Sequence, residues 1–130
     1  MKTQLSIPIL SFFVLVLMSC SGIAWSETLV LIQGYLGGAD NWRDSGITQV
    51  LEKSGWKDGG HLSIGPGGVR DQRPDTRGSR RYITLDLPTQ APLMIQSKQL
   101  DRYLAYLHRR NPNSVLILVG HSAGGVLARL

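Results

Sequence analysis

Residues 115–125 read Val-Leu-Ile-Leu-Val-Gly-His-Ser-Ala-Gly-Gly and place a single serine, Ser122, between glycines at the end of a purely apolar run. Five consecutive apolar residues predict a strand buried on both faces. The residues that follow, Val126-Leu127-Ala128, favour the start of a helix. A serine in such a strand-to-helix turn takes a strained backbone conformation and has its hydroxyl exposed at the end of the strand.

The residues around Ser122 fit the chemistry of a nucleophile. Gly120 and Gly124 remove the side chains that would collide in so sharp a turn. The helix beyond the turn offers free backbone N–H groups to a developing oxyanion, and Ala123 would supply one of them. The competing interpretation is a glycine-rich turn in an ordinary Rossmann-like sheet.

A second segment strengthens the first interpretation. Residues 29–38 read Leu-Val-Leu-Ile-Gln-Gly-Tyr-Leu-Gly-Gly, which is an apolar strand followed by a glycine-rich turn. Together with the Ser122 motif it resembles the α/β-hydrolase family, and within it the bacterial lipases and esterases. The resemblance extends over residues 28–130 in the order strand, helix, strand, helix, strand and serine turn. It implies an α/β-hydrolase fold, a mostly parallel sheet with helices on both faces, that is incomplete in this chain.

The same resemblance assigns roles to individual residues. Ser122 would be the catalytic nucleophile of a serine ester hydrolase, acting on carboxylic esters, with lipid-like esters favoured, through an acyl-enzyme. The backbone N–H groups of Tyr35 and Ala123 would form the oxyanion hole. Gln33 stands where the family commonly has histidine, and a plain strand-to-helix turn is the alternative for this segment. Support of the turn and loop is expected from Gly34, Gly120, His121, Gly124 and Gly125.

The rest of a catalytic triad is not found after Ser122. In this fold the order along the chain is serine, then an acid, then histidine, but neither an acid nor a histidine occurs between Ser122 and Leu130. We therefore expect the base and its acid beyond Leu130, and residues 1–130 alone to be inactive. His121 is expected to point into packing as a structural residue. An acyltransferase and a non-catalytic exported lipid-binding or surface protein are the alternative functions.

The amino terminus predicts export. Lys2 precedes a nearly uninterrupted apolar stretch over residues 5–18, which is typical of a secretory signal peptide, although a core helix or a membrane span would look similar. Cleavage after Ser26 would give a signal peptide over residues 1–26 and a periplasmic or secreted protein. Lipoprotein processing would instead remove residues 1–19 and lipidate Cys20, which would associate the protein with a membrane.

Composition excludes several other classes. Cys20 is the only cysteine, so the mature part of this chain forms no internal disulfide. Three scattered histidines argue against a metal site, and no organic cofactor is implied. A Gly/Arg-rich segment at about residues 58–81 is expected to be a long surface loop. Its five arginines are partly balanced by three aspartates and lack interleaved aromatic residues, so we expect no nucleic-acid partner, with anionic lipid as the alternative.

The remaining segments predict a single domain over residues 27–130. Helical spacing covers residues 42–54 and 91–110, and residues 82–85 are rich in β-forming side chains. With the two apolar runs this gives about three strands.

Overall fold

Strand β1, Ser26–Ile32, is an interior strand of the sheet, and its last four side chains are at most 7% exposed. It belongs to a computed structural model that describes residues 25–72 and 78–130. Residues 1–24 of the predicted signal peptide, with the lipidation site predicted at Cys20, lie outside the described residues, whereas the cleavage site predicted after Ser26 falls at the start of β1. In the described part of the chain, no helix is both long enough and apolar enough to cross a membrane.

Five strands and four helices make up the described residues. The sheet has the order β3-β2-β4-β1-β5, in which β3 is antiparallel to β2 and every other neighbouring pair is parallel. The fold is therefore α/β, with a mostly parallel sheet. After β1, the strands are β2 (Lys57–Gly65), β3 (Gly68–Gln72), β4 (Arg80–Leu85) and β5 (Ser114–Gly120), and the helices are α1 (Asn41–Asp44), α2 (Ile47–Lys53), α3 (Leu93–Arg110) and α4 (Ala123–Leu127).

Side chains of β1 alternate between two hydrophobic clusters, because successive residues of a strand point to opposite faces of the sheet. Val30 and Ile32 pack on one face against helices α3 and α4. Leu29 and Leu31 pack on the other face with Trp42 of α1 and with residues from α2 and β4. Helices therefore cover both faces of the sheet, as the sequence predicts.

The expectation of a long surface loop at about residues 58–81 is wrong. Strands β2 and β3 form a hairpin there, so the sheet has five strands in the described residues instead of about three. The many glycines of this segment are typical of a loop, so its sequence does not show the alternating pattern of a strand. In the structure, however, Leu62 of β2 is completely buried in the core. Gly59 serves close strand packing, since a Cβ at this position would lie 2.8 Å from the Tyr82 carbonyl oxygen. Residues 73–77 lie outside the described part.

Two further expectations change in detail. The helix predicted over residues 42–54 is split into α1 and α2 at Gly46, whose φ of 82° is a left-handed conformation. The apolar run at residues 115–119 does form β5, an edge strand, but the expectation that it is buried on both faces is wrong, because Val115 and Ile117 are exposed. The strand at residues 82–85 and the helix ending at residue 110 are confirmed.

Polar contacts attach α1 and α2 to the sheet. Arg43 of α1 forms a two-point ion pair with Asp58 of β2. Tyr82 of β4 donates a 2.6 Å hydrogen bond to Glu52 of α2, and burial followed by this hydrogen bond raises the pKa of the Tyr82 hydroxyl. Burial also pushes the pKa of Asp58 upward. The Arg43 hydrogen bond, the Gly60 N–H and the Arg43 charge outweigh that effect and lower it overall.

The ion pair predicts a pH-dependent stability. Because the folded-state pKa of Asp58 lies below its ordinary value of 3.8, its contribution is present above about pH 4 and is lost as the pH falls through the folded-state pKa. We expect Asp58→Asn to lower the free energy of unfolding of the full-length protein at pH 7 by about 1–3 kcal/mol. Urea titrations from pH 7 to pH 3 check this, and a difference between variant and wild type that stays constant with pH would contradict it.

Candidate functional site

Ser122 occupies the turn between β5 and α4 in a strained backbone conformation. Its φ of 54° and ψ of −124° lie outside the regions that residues with a side chain normally adopt. Leu36 is the other non-glycine residue with positive φ in the described ranges, at 58°. Strain of this kind costs on the order of 1–3 kcal/mol and persists only where the surroundings enforce it.

The glycines around Ser122 allow the backbone to pack more closely than any side chain would permit. A Cβ on Gly124 would lie 2.5 Å from the Ile32 carbonyl oxygen at the end of β1. A Cβ on Gly120 would lie 2.5 Å from the carbonyl of Gly124. Gly125 differs from the other two, because a Cβ there would lie 3.6 Å from its nearest neighbour, an ordinary contact distance.

The loop after β1 lies directly against the Ser122 turn. A Cβ on Gly34 would lie 2.9 Å from both the Ser122 Cβ and the His121 carbonyl oxygen. Gly34 begins a β-turn that closes with a 3.0 Å hydrogen bond from the Gly37 N–H to the Gly34 carbonyl. Tyr35 is the second residue of this turn, next to the one that touches Ser122. Parallel pairing of β1 with β5 brings the two loops together.

Several backbone N–H groups in these loops have no hydrogen-bond acceptor among the described residues, and both predicted donors belong to this set. Among the described residues, neither the Tyr35 N–H nor the Ala123 N–H has an acceptor, whereas the neighbouring Gly124 and Gly125 N–H groups donate to carbonyl oxygens. The structure therefore brings the two predicted donors and Ser122 to the same end of the sheet. Such free N–H groups can stabilise negative charge that develops on a bound carbonyl oxygen.

Gln33 supports the loop that follows β1. Its side chain is 3% exposed and donates a 3.0 Å hydrogen bond from Nε2 to the Leu85 carbonyl at the end of β4. The Thr89 hydroxyl donates a second hydrogen bond, of 3.0 Å, to the Gly37 carbonyl. Sequence reasoning did not find these supports, because residues 85–89 are distant in the chain and carry no motif.

A cavity of about 330 Å³ opens beside Ser122. None of its lining side chains is an acid, a lysine or an arginine, so it suits an uncharged ligand. Two buried polar atoms of the lining, Gln33 Oε1 and Trp42 Nε1, have no hydrogen-bond partner among the described residues. The lining comes from the loop after β1, from α1 and its C-terminal end, from the first residue of α2 and from the serine turn: Gln33, Gly34, Tyr35, Leu36, Gly37, Asn41, Trp42, Ser45, Ile47, His121 and Ser122.

The histidines do not form a catalytic pair with an acid at this cavity. His121 is exposed and lines the cavity, so the expectation that it points into packing is wrong. The turn directs it outward beside Gly34. His61 lies on β2 and contacts the Thr84 hydroxyl, with β4 and β1 between it and β5. No group of three or more potential metal ligands occurs in residues 25–72 and 78–130.

Comparison with known proteins gives one structural match. No protein-family model matches the chain, and no curated protein does. The chain is similar to a protein of known crystal structure, the product of the gene lin2722 from Listeria innocua, with a TM-score of 0.65 and 21% sequence identity. The match covers 79% of this chain and 42% of that protein. At this identity the likeness concerns the fold alone.

The packing of the turn predicts very unequal effects on stability for substitutions of two adjacent glycines. We expect Gly124→Ala to lower the free energy of unfolding by about 3 kcal/mol or more, because the added methyl group collides with the end of β1. Gly125→Ala has room for its methyl group and should stay within about 1 kcal/mol of wild type. Thermal and urea unfolding of the full-length protein check this pair, and equal effects of the two substitutions would contradict it.

Proposed function

We propose that this chain belongs to a secreted serine ester hydrolase with an α/β-hydrolase fold, and that Ser122 is its nucleophile. One observation carries the proposal. Ser122 has a strained backbone at the end of β5 and lies against a loop with a free N–H, while its own turn supplies a second free N–H. Strained residues cluster at functional sites, and this combination suits acyl transfer.

The reaction follows from this arrangement. The Ser122 Oγ forms a bond to the carbonyl carbon of the ester, and the carbonyl π electrons move to the oxygen. The Tyr35 and Ala123 N–H groups stabilise that oxyanion. A general base takes the hydroxyl proton and passes it to the departing alcohol as the ester C–O bond breaks. Water then attacks the acyl-serine and releases the carboxylic acid, which regenerates the Ser122 hydroxyl.

Support for the substrate class comes from the cavity beside Ser122. Its lining holds no acid, lysine or arginine and includes Trp42, Leu36 and Ile47, which favours an apolar, lipid-like ester over a charged one. Export, either as a secreted or periplasmic protein or as a lipoprotein anchored through Cys20, is the location we propose from the sequence. This mechanism needs no cofactor.

The proposal predicts selective labelling of Ser122. A fluorophosphonate should label the full-length wild-type protein, because an activated serine attacks its phosphorus atom. Ser122→Ala should abolish labelling and lower ester hydrolysis by a factor of at least about 10³. Ser45→Ala is the matched control, because Ser45 lines the same cavity but its hydroxyl donates to the Trp42 carbonyl. Equal labelling of wild type and Ser122→Ala would overturn the proposal.

The oxyanion hole has a test of its own. Tyr35 is the second residue of a β-turn, a position that favours proline. Tyr35→Pro should therefore keep the turn while deleting the N–H, and should lower kcat by about 10²–10³-fold. Tyr35→Ala retains the N–H and should stay within about tenfold of wild type. Steady-state kinetics of the full-length variants, with thermal melts to verify folding, check the comparison; similar kcat values for the two variants would argue against this donor.

A further inference from the structure

Leu36 combines two features that are individually unfavourable. It is the third residue of the turn that Gly34 begins, and its φ of 58° is a conformation in which glycine or asparagine is normally found. Its large apolar side chain is also 66% exposed. A glycine would meet the backbone requirement without placing an apolar side chain in water.

The surroundings hold Leu36 in this conformation. The turn is closed by the Gly37 N–H, and the Gly37 carbonyl accepts a hydrogen bond from Thr89. Gly37 packs closely inside the turn, since a Cβ there would lie 3.0 Å from the Gly34 carbonyl oxygen and 3.3 Å from the Gln33 Cβ. Because these contacts hold the turn on both sides, they place the Leu36 backbone at the cavity that its residue lines.

A second exposed apolar side chain lies in the same cavity. Ile47 is the first residue of α2 and is 43% exposed. Gly46, with its φ of 82°, separates it from the end of α1. Trp42 of α1 is only 8% exposed and belongs both to the core and to the cavity lining. Leu36 and Ile47 thus lie at the open part of a cavity whose buried part includes Trp42.

The size of the cavity limits the ligand. Its 330 Å³ is near the lower end of the roughly 300–1,000 Å³ range of small-molecule sites. The cavity therefore suits a short to medium-length aliphatic chain better than a long one.

We infer that Leu36 and Ile47 are specificity-determining residues that bind a medium-length, uncharged acyl chain next to Ser122. The inference rests on the proposed function and adds the class of acyl group to it. Contact with the chain covers both exposed side chains. It also accounts for a leucine in a turn position that favours glycine, because glycine would leave the acyl chain without this contact.

The test compares two esters of one alcohol, p-nitrophenyl octanoate and p-nitrophenyl acetate, with the full-length protein. The quantity measured is the ratio of kcat/KM for octanoate to that for acetate. We expect this ratio to fall about tenfold in Leu36→Gly, Leu36→Ala and Ile47→Ala, in line with the contribution of one apolar contact to substrate discrimination. Val50→Ala is the matched control, since Val50 lies on the same helix and is exposed but does not line the cavity. Its ratio should equal that of wild type.

Thermal melts separate loss of the acyl contact from loss of structure. Leu36→Gly relieves the backbone strain, so its Tm should be higher than that of Leu36→Ala, which retains the strain. Both variants should show the same reduced ratio. An unchanged ratio in Leu36→Gly and Ile47→Ala, with an active wild type, would overturn the acyl subsite and leave the ester hydrolase proposal intact. If the wild type hydrolyses neither ester and Ser122 is not labelled, the proposed function fails, and the subsite fails with it.

Discussion

The contact between the Ser122 turn and the end of β1 is the constraint on which the candidate site depends. Gly124 packs against the carbonyl oxygens of Ile32 and Gln33, and the His121 N–H donates a 3.0 Å hydrogen bond to the Ile32 carbonyl. These contacts continue the parallel pairing of β1 with β5 past the end of both strands. They fix the distance between the serine and the loop that carries the Tyr35 N–H. Without a glycine at residue 124 the two loops could not approach each other in this way.

Strain on both sides of the cavity follows from that constraint. Ser122 and Leu36 both have φ values near 55° on facing loops, and each is held by neighbours that are buried or hydrogen-bonded. The sheet below supplies the necessary rigidity, since β1 is buried on both faces by helices and paired on both edges. A rigid scaffold can stabilise a few unfavourable residues at its edge because the core offsets their cost.

Sequence reasoning located the parts of this arrangement that depend on local pattern. The apolar runs at residues 29–32 and 115–119 form neighbouring strands, and the glycine spacing around Ser122 marks the turn, because each signal lies within a few residues. The hairpin of β2 and β3 was missed, since its glycines serve strand packing and a tight turn while resembling a loop. The role of Gln33 could not be predicted, because its partner Leu85 is 52 residues away in the chain.

The side-chain environment of β5 shows why burial is harder to predict than strand formation. All five apolar residues of the run 115–119 favour a strand, yet those that face the α1 and α2 side are covered unequally. Val119 packs against the cluster that contains Leu31 and Trp42, whereas Val115 and Ile117, on the same face, are exposed. Coverage depends on where α1 and α2 cross the sheet, and Gly46 and the Arg43–Asp58 ion pair set that position. Helix α1 is short and leaves Val115 and Ile117 of β5 uncovered. The same helix places Trp42 at the cavity beside Ser122. The placement of α1 thus determines both the covered part of this face and the shape of the candidate site.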